Sequence, residues 1–238
     1  MVDQSKIKMT TVASVPRPYA VKGSPNIGLY INTPEIVDGF EFLVKLSKSF
    51  RGINASKYEK NMHAVELALP TLGEEEYGSY AETISEMCRN SGIVFIVDSY
   101  TTVAEKVKAD GIIISAERDK SLENIRKKFG DDFIIGVDCK SSMSKASNYI
   151  DNKLVDYVSF DYNKRYIGKL VQFWKSNTDK PCVIKGCKNE DLCSDIVNLG
   201  ADFVGCRDFI WNHPEGTEEA IKVLMKTIEE TVSSRKTQ

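Results

Sequence analysis

In KPCVIKGCKNED (180–191) an apolar run, Cys182 to Ile184, ends on Lys185, Gly186 and Cys187, where a buried strand would leave the core. Other apolar runs meet charge at the same point. Glu66 lies in HAVELAL, Asp98 closes IVFIVDS, Asp138 and Lys140 follow FIIGV, Asp161 closes YVSFDY, Glu117–Arg118 follow GIIIS, and Arg207–Asp208 follow FVGC. An unpaired charge within an apolar strand is costly, so each of these needs a partner. Two chemistries fit. In one, Lys185, Lys140 and Arg207 neutralise an anionic ligand while Asp98, Asp138 or Glu117 serves as a base or metal ligand. In the other, acids and bases at neighbouring strand ends pair with each other and fill the space between them.

The elements that must position these groups follow from hydrophobic period. Eight short apolar runs read as strands: 26–32, 63–69, 93–99, 111–115, 133–139, 157–162, 181–186 and 202–208. Runs such as Ile112–Ile114 are apolar on consecutive positions, as parallel strands covered by helices should be. Between them lie amphipathic stretches over 35–50, 75–92, 102–109, 121–129, 144–152, 168–176, 189–200 and 216–232, with apolar residues at i, i+3 and i+4, as in Ile84, Met87 and Cys88. Eight strands alternating with eight helices predict a single α/β domain, a (β/α)8 TIM barrel over 26–238, preceded by a mobile segment over 1–25. A doubly wound open sheet is the competitor, but the first turn, INTPEIVDG, carries no G-x-G-x-x-G. In a barrel the strand C-termini form the active face, which gathers the charged residues at one mouth.

The rest of the chain narrows the function. Net charge is −2, which argues against nucleic acid and anionic membrane as partners, and no apolar run is long enough to span a bilayer. The N-terminus lacks the apolar core of a secretory signal, so a cytoplasmic location is expected. The six cysteines (88, 139, 182, 187, 193, 206) include no C-x-x-C pair and read as reduced, buried fillers. The two histidines, His63 at the start of strand 2 and His213 in a loop after strand 8, complete no Ser/His/Asp or Cys/His arrangement.

From Pro181 onward, PCVIKGCKNEDLCSDIVNLGADFVGCRDFIWNHPEG resembles strands 7 and 8 of the thiamine-phosphate synthase family, and its WNHPEG (211–216) is similar to the α-proteobacterial branch. ADGIII (109–114), FIIGV (133–137) and VDYV (155–158) are similar to that family's strands 4, 5 and 6 in order. The resemblance implies a (β/α)8 enzyme that joins hydroxymethylpyrimidine diphosphate to thiazole phosphate, with Mg²⁺, and releases diphosphate. It also implies site positions that this chain fills differently. Glu66-Leu67-Ala68-Leu69-Pro70 stands for Gln-x-Arg-x-Lys, and Asp98-Ser99-Tyr100 for Asn-Asp-Arg, where the middle residue holds metal. Arg118, with Asp119 and Glu117 beside it, stands near the second metal aspartate, and Asp138-Cys139-Lys140 stands for Ser/Thr-x-His. DYNKRYIGK is shorter than the threonine-rich diphosphate loop, Gly186–Cys187 replaces a phosphate-cradling glycine pair, and Arg207–Asp208 replace serines.

The reading that follows is a diverged thiamine-phosphate synthase-like barrel whose transferase chemistry is impaired or lost. Asp98 and Lys140 are its catalytic candidates. Lys185, Gly186, Cys187, Arg207, Asp208, Asp138 and Glu66 are its ligand or phosphate candidates, and Asp98, Glu117 and Asp119 its metal candidates. Mg²⁺ is expected only if the family activity survives, the ligand would be a small phosphorylated molecule, and the family resemblance makes a homodimer an expectation. The alternatives are a non-catalytic small-anion-binding or regulatory barrel, and a thiazole tautomerase-like protein, in which Lys140 takes the place of the proton-transfer histidine.

Overall fold

The computed structural model describes residues 27–56 and 61–235, so the segment expected over 1–25 lies outside the described residues. The apolar runs form β1 (Gly28–Asn32), β2 (Ala64–Leu67), β3 (Val94–Asp98), β4 (Gly111–Ser115), β5 (Ile134–Asp138), β6 (Tyr157–Asp161), β7 (Cys182–Cys187) and β8 (Phe203–Cys206). Each pairs in parallel with the next, and β8 returns to β1 to close the barrel. Between them lie α1 (Gly39–Asn54), α2 (Glu74–Ser91), α3 (Thr101–Val107), α4 (Leu122–Phe129), α5 (Met143–Ser147), α6 (Ile167–Asn177) and α7 (Glu190–Leu199). A short α8 (Asp208–Trp211) and the closing α9 (Thr217–Arg235) follow β8. This is a single (β/α)8 barrel.

Two helices differ from the periodicity reading. The first begins at Gly39, four residues late, because Pro34–Asp38 form a loop whose Glu35 reaches Arg207. The fifth covers five residues: Ser142 caps it by accepting the Lys145 N–H at 3.2 Å, and beyond it the carbonyls of Tyr149 and Asn152 accept from Lys180 Nζ. Two short elements carry no periodicity to announce them, the 3-10 turn over Ala116–Ser121 and α8.

Side chains alternate between two cores, as the period of a strand requires. Leu29, Val65, Phe95, Ile112, Ile135, Val158, Ile184 and Val204 point outward under the helices. Tyr30, Ala64, Ile96, Ile113, Tyr157 and Val183 point inward and fill the barrel. Midway up the barrel the hydroxyls of Tyr30 and Tyr157 meet at 2.8 Å. Gly136 makes room for this pair, since a Cβ there would lie 2.2 Å from the Tyr157 ring.

The base of the barrel is fastened by one device used four times. The residue just before each even-numbered strand accepts the backbone N–H of the preceding odd-numbered strand through its side chain. Asp110 takes Phe95 at 2.8 Å, Asp156 takes Ile135 at 2.8 Å, and Asp202 takes Cys182 at 2.7 Å. His63 is the fourth, its Nδ1 accepting Leu29 N–H at 3.1 Å. A cation from the helix that precedes the odd-numbered strand attends two of the carboxylates: Arg126 of α4 reaches Asp156 at 2.7 Å, and Lys175 of α6 bonds Asp202. His63 therefore serves the barrel floor, the face opposite the chemistry.

Candidate functional site

The upper inward positions of the strands follow from the same alternation. Below them the inward residues are apolar; at the C-terminal ends they are Glu66 on β2, Asp98 on β3, Asp138 on β5, Ser159 and Asp161 on β6, and Lys185 on β7. The register sets Asp161 beside Lys185 and Asp138 beside Ser159.

These groups are paired. Lys185 Nζ lies 2.8 Å from Glu66 Oε2 and donates to Oε1 at 3.1 Å, with side-chain exposures of only 14% and 5%. Glu66 Oε2 has the ion contact but no aligned donor, which leaves a buried acceptor half satisfied. Lys140 Nζ lies 2.7 Å from Asp138 and 4.0 Å from Asp161, and Ser159 Oγ donates to Asp138 at 3.1 Å. Asp98 accepts from Ser99 Oγ at 2.6 Å, while its own N–H donates to Tyr77 Oη at 2.9 Å. Tyr77, from α2, also donates to the Leu67 carbonyl at 2.6 Å and so pins the ends of β2 and β3 together.

Electrostatics follow the pairing. Burial would lower the Lys185 pKa, but Glu66 and Asp138 outweigh it and hold it above the ordinary lysine value. Lys140 is raised in the same way, burial being overcome by Asp138. Burial would raise Asp138, yet Lys185 and Lys140 bring it below the usual aspartate range. Asp98 shifts the other way: burial raises it, and the Ser99 hydrogen bond does not compensate. Four carboxylates (Glu66, Asp98, Asp138, Asp161) thus face two ammonium groups (Lys140, Lys185), and protonating Asp98 still leaves the mouth negative.

The structure separates other residues that the sequence grouped together. Arg207 does not join Lys185 and Lys140 around one ligand position. β8 ends at Cys206, and the Arg207 side chain turns to the β1–α1 loop, 2.6 Å from Glu35 and 3.8 Å from Asp208. It borders a groove of ≈ 310 Å³ lined by Pro34, Glu35, Asp208, Trp211 and Asn212. Glu117 sits exposed on the rim, bonded to Lys145 and Ser115 Oγ, which hold its pKa near 2. The side chain of Asp119 lies outside the described residues. Gly186 takes φ +100° behind Lys185, and Cys187 is buried, so only the glycine of this turn faces solvent. Ser99 and Lys140, at φ 66° and 54°, hold left-handed conformations at the ends of β3 and β5.

The donor set does not fit Mg²⁺. That cation takes near-octahedral oxygen ligands from carboxylates with space for water. Here the Asp138 carboxylate is occupied by an ammonium group, Asp98 is tied to Ser99, and Glu117 belongs to Lys145. Among the described residues no group of three or more His, Cys, Asp or Glu side chains is placed to hold a metal ion.

Residues 46–161 match the family model described as thiamine monophosphate synthase. The thiamine-phosphate synthase of Hyphomonas neptunium is 23% identical over 208 residues, 83% of this chain and 92% of that protein. That of Rhodospirillum centenum is 24% identical, covering 81% and 93%. Over residues 46–161 the chain is similar to the thiamine monophosphate synthase family. The thiamine phosphate pyrophosphorylase of Pyrococcus furiosus superposes with a TM-score of 0.69 at 19% identity, over 87% of this chain and 98% of that one, a likeness of fold. The likeness to that family in sequence and the likeness of barrel therefore agree.

The sequence reading missed Tyr30, Tyr157, Tyr77 and Ser159. Inward parity from Glu66 and Lys185 could have found Tyr30, Tyr157 and Ser159. Nothing local marks Tyr77, which acts on the mouth from a helix.

Proposed function

We propose that this chain keeps the family's barrel but not its reaction, and that its mouth is closed by its own ion pairs. The observation that carries this reading is the Glu66–Lys185 contact at 2.8 Å between two largely buried side chains. A departing diphosphate needs cations left free to take up charge as it develops. Here each mouth lysine is already engaged by a carboxylate, and the excess of acid repels a further anion. Lys140 is unsuited to the tautomerase-like role. A base must lose its proton near neutral pH, whereas Asp138, outweighing burial, holds the Lys140 pKa above the ordinary lysine value.

A non-catalytic anion-binding role has one observation in its favour, the solvent-facing Gly186 turn with exposed Lys188 behind it. Its ligand would bind outside the plugged mouth. Six buried free cysteines and no described helix able to cross a membrane support a reducing, cytoplasmic setting.

The test is direct. Purified protein at high concentration is incubated with hydroxymethylpyrimidine diphosphate, thiazole phosphate and Mg²⁺, and thiamine phosphate is measured by fluorescence after oxidation. No product above the enzyme-free control is expected; steady multiple turnover would overturn the proposal.

A further inference from the structure

Three of the six cysteines converge outside the mouth. Cys187 at the end of β7 and Cys206 at the end of β8 are register partners on adjacent strands, and Cys193 approaches them from α7. Cys206 Sγ lies 3.2 Å from the Cys187 carbonyl, and Cys187 Sγ lies 3.6 Å from the Asn189 carbonyl. Cys187 is the shared member: it is the register partner of Cys206, and its thiol interacts with those of both Cys193 and Cys206. Neighbouring strands bring partner Cα atoms to about 4.8 Å, inside the roughly 4.4–6.8 Å window that a disulfide requires. All three sulfurs are buried, but Gly186 and Lys188 on either side of Cys187 are exposed, so the cluster lies one residue beneath the surface.

We propose that Cys187, Cys193 and Cys206 form an oxidation-responsive thiol site in which Cys187 closes a disulfide with one of the other two. The oxidant is hydrogen peroxide, small enough to enter at the exposed turn. The Cys187 sulfur attacks the O–O bond, becomes a sulfenic acid and releases hydroxide, which takes the thiol proton and leaves as water. The second thiol then attacks that sulfur, the S–OH bond breaks, an S–S bond forms, and a second water departs. Two thiols lose two electrons in all, and one peroxide is reduced to two waters.

The two neighbouring thiols favour Cys187 as the attacking sulfur. Their proximity lowers its pKa against the burial that would raise it, while the same interaction and burial raise those of Cys193 and Cys206. The bridge would tie β7 to β8 or to α7 immediately behind Gly186, the turn that carries Lys185. The site is thus a covalent lock on the strand that holds one half of the plug.

Full-length protein is exposed to hydrogen peroxide, quenched, alkylated and digested without reduction, and its bridges are mapped by mass spectrometry. A Cys187–Cys206 or Cys187–Cys193 bridge in most molecules, with Cys88, Cys139 and Cys182 still alkylated as free thiols, is the expected result. Cys187→Ser should abolish the bridge, whereas Cys88→Ser should leave it. Because the wild-type map stands alone, a poorly folded variant does not obscure the outcome. Free thiols at all three positions after peroxide, or bridges that omit Cys187, would overturn the proposal.

Discussion

Glu66 on β2 and Lys185 on β7, 119 residues apart in the chain, meet at 2.8 Å inside the barrel mouth. A buried ion pair of this kind adds little net stability, because desolvation offsets attraction, but losing one partner strands the other. Lys185→Met should therefore destabilise the fold by about 3–5 kcal/mol, while Glu66→Leu combined with Lys185→Met should recover most of that. Urea unfolding of the two single variants and the double variant measures this cycle. Additive losses would mean that the two side chains do not depend on each other.

The acid limb of stability should separate Asp138 from Asp98. The folded pKa of Asp138 is depressed, so its contribution is present above the unfolded value of about 3.9 and is lost as pH falls through the lower folded value. Asp138→Asn should remove that contribution and narrow its difference from wild type below pH 4. Asp98 has the opposite sign: its pKa is raised, so ionisation costs stability. Asp98→Asn should be at least as stable as wild type above the folded pKa, with the gap closing as pH falls toward the unfolded value. Denaturation midpoints between pH 3 and 8 for the three proteins check both signs.

Gly136 should tolerate no side chain while Tyr157 is present. The Cβ of Gly136→Ala falls 2.2 Å from the Tyr157 ring, and overpacking of this kind typically costs about 1–3 kcal/mol. Adding Tyr157→Ala should relieve the clash, so that the alanine at 136 costs less in that background than in wild type. Equal cost in both backgrounds, read from thermal unfolding, would show that the ring is not what limits the site.

The floor latches should behave as one repeated device. Asp156→Ala leaves the Ile135 N–H without its acceptor, at a cost of about 1–3 kcal/mol, and it also frees Arg126. His63→Asp places at the fourth latch the residue type that serves the other three, so the Leu29 amide should stay protected, whereas His63→Ala should expose it. Hydrogen exchange at Leu29, Phe95, Ile135 and Cys182 reads each latch separately. Unchanged exchange at Ile135 in Asp156→Ala would contradict the role given to that carboxylate.

Much of this architecture was legible in the sequence because consecutive apolar runs such as Ile112–Ile114 follow from burial on both faces of a strand. The charges at the mouth were legible too, since Glu66 and Lys185 interrupt otherwise apolar runs. Their pairing was not, because it joins residues on strands far apart in sequence, and only closure of the barrel brings them together. Arg207 shows the limit most clearly. Strand parity alone points it inward, but β8 stops one residue short and the guanidinium goes to Glu35. The floor latches were invisible for a different reason. Three use aspartate and one uses histidine, so the repeat is one of geometry rather than of residue type.

The most direct test of the plugged mouth is a calorimetric titration of inorganic diphosphate with Mg²⁺ into the wild-type protein. The paired, net-acidic mouth predicts no saturable heat up to millimolar diphosphate. Saturable micromolar binding that is lost in Lys185→Met would contradict it, because it would show that Lys185 leaves Glu66 to take an anion.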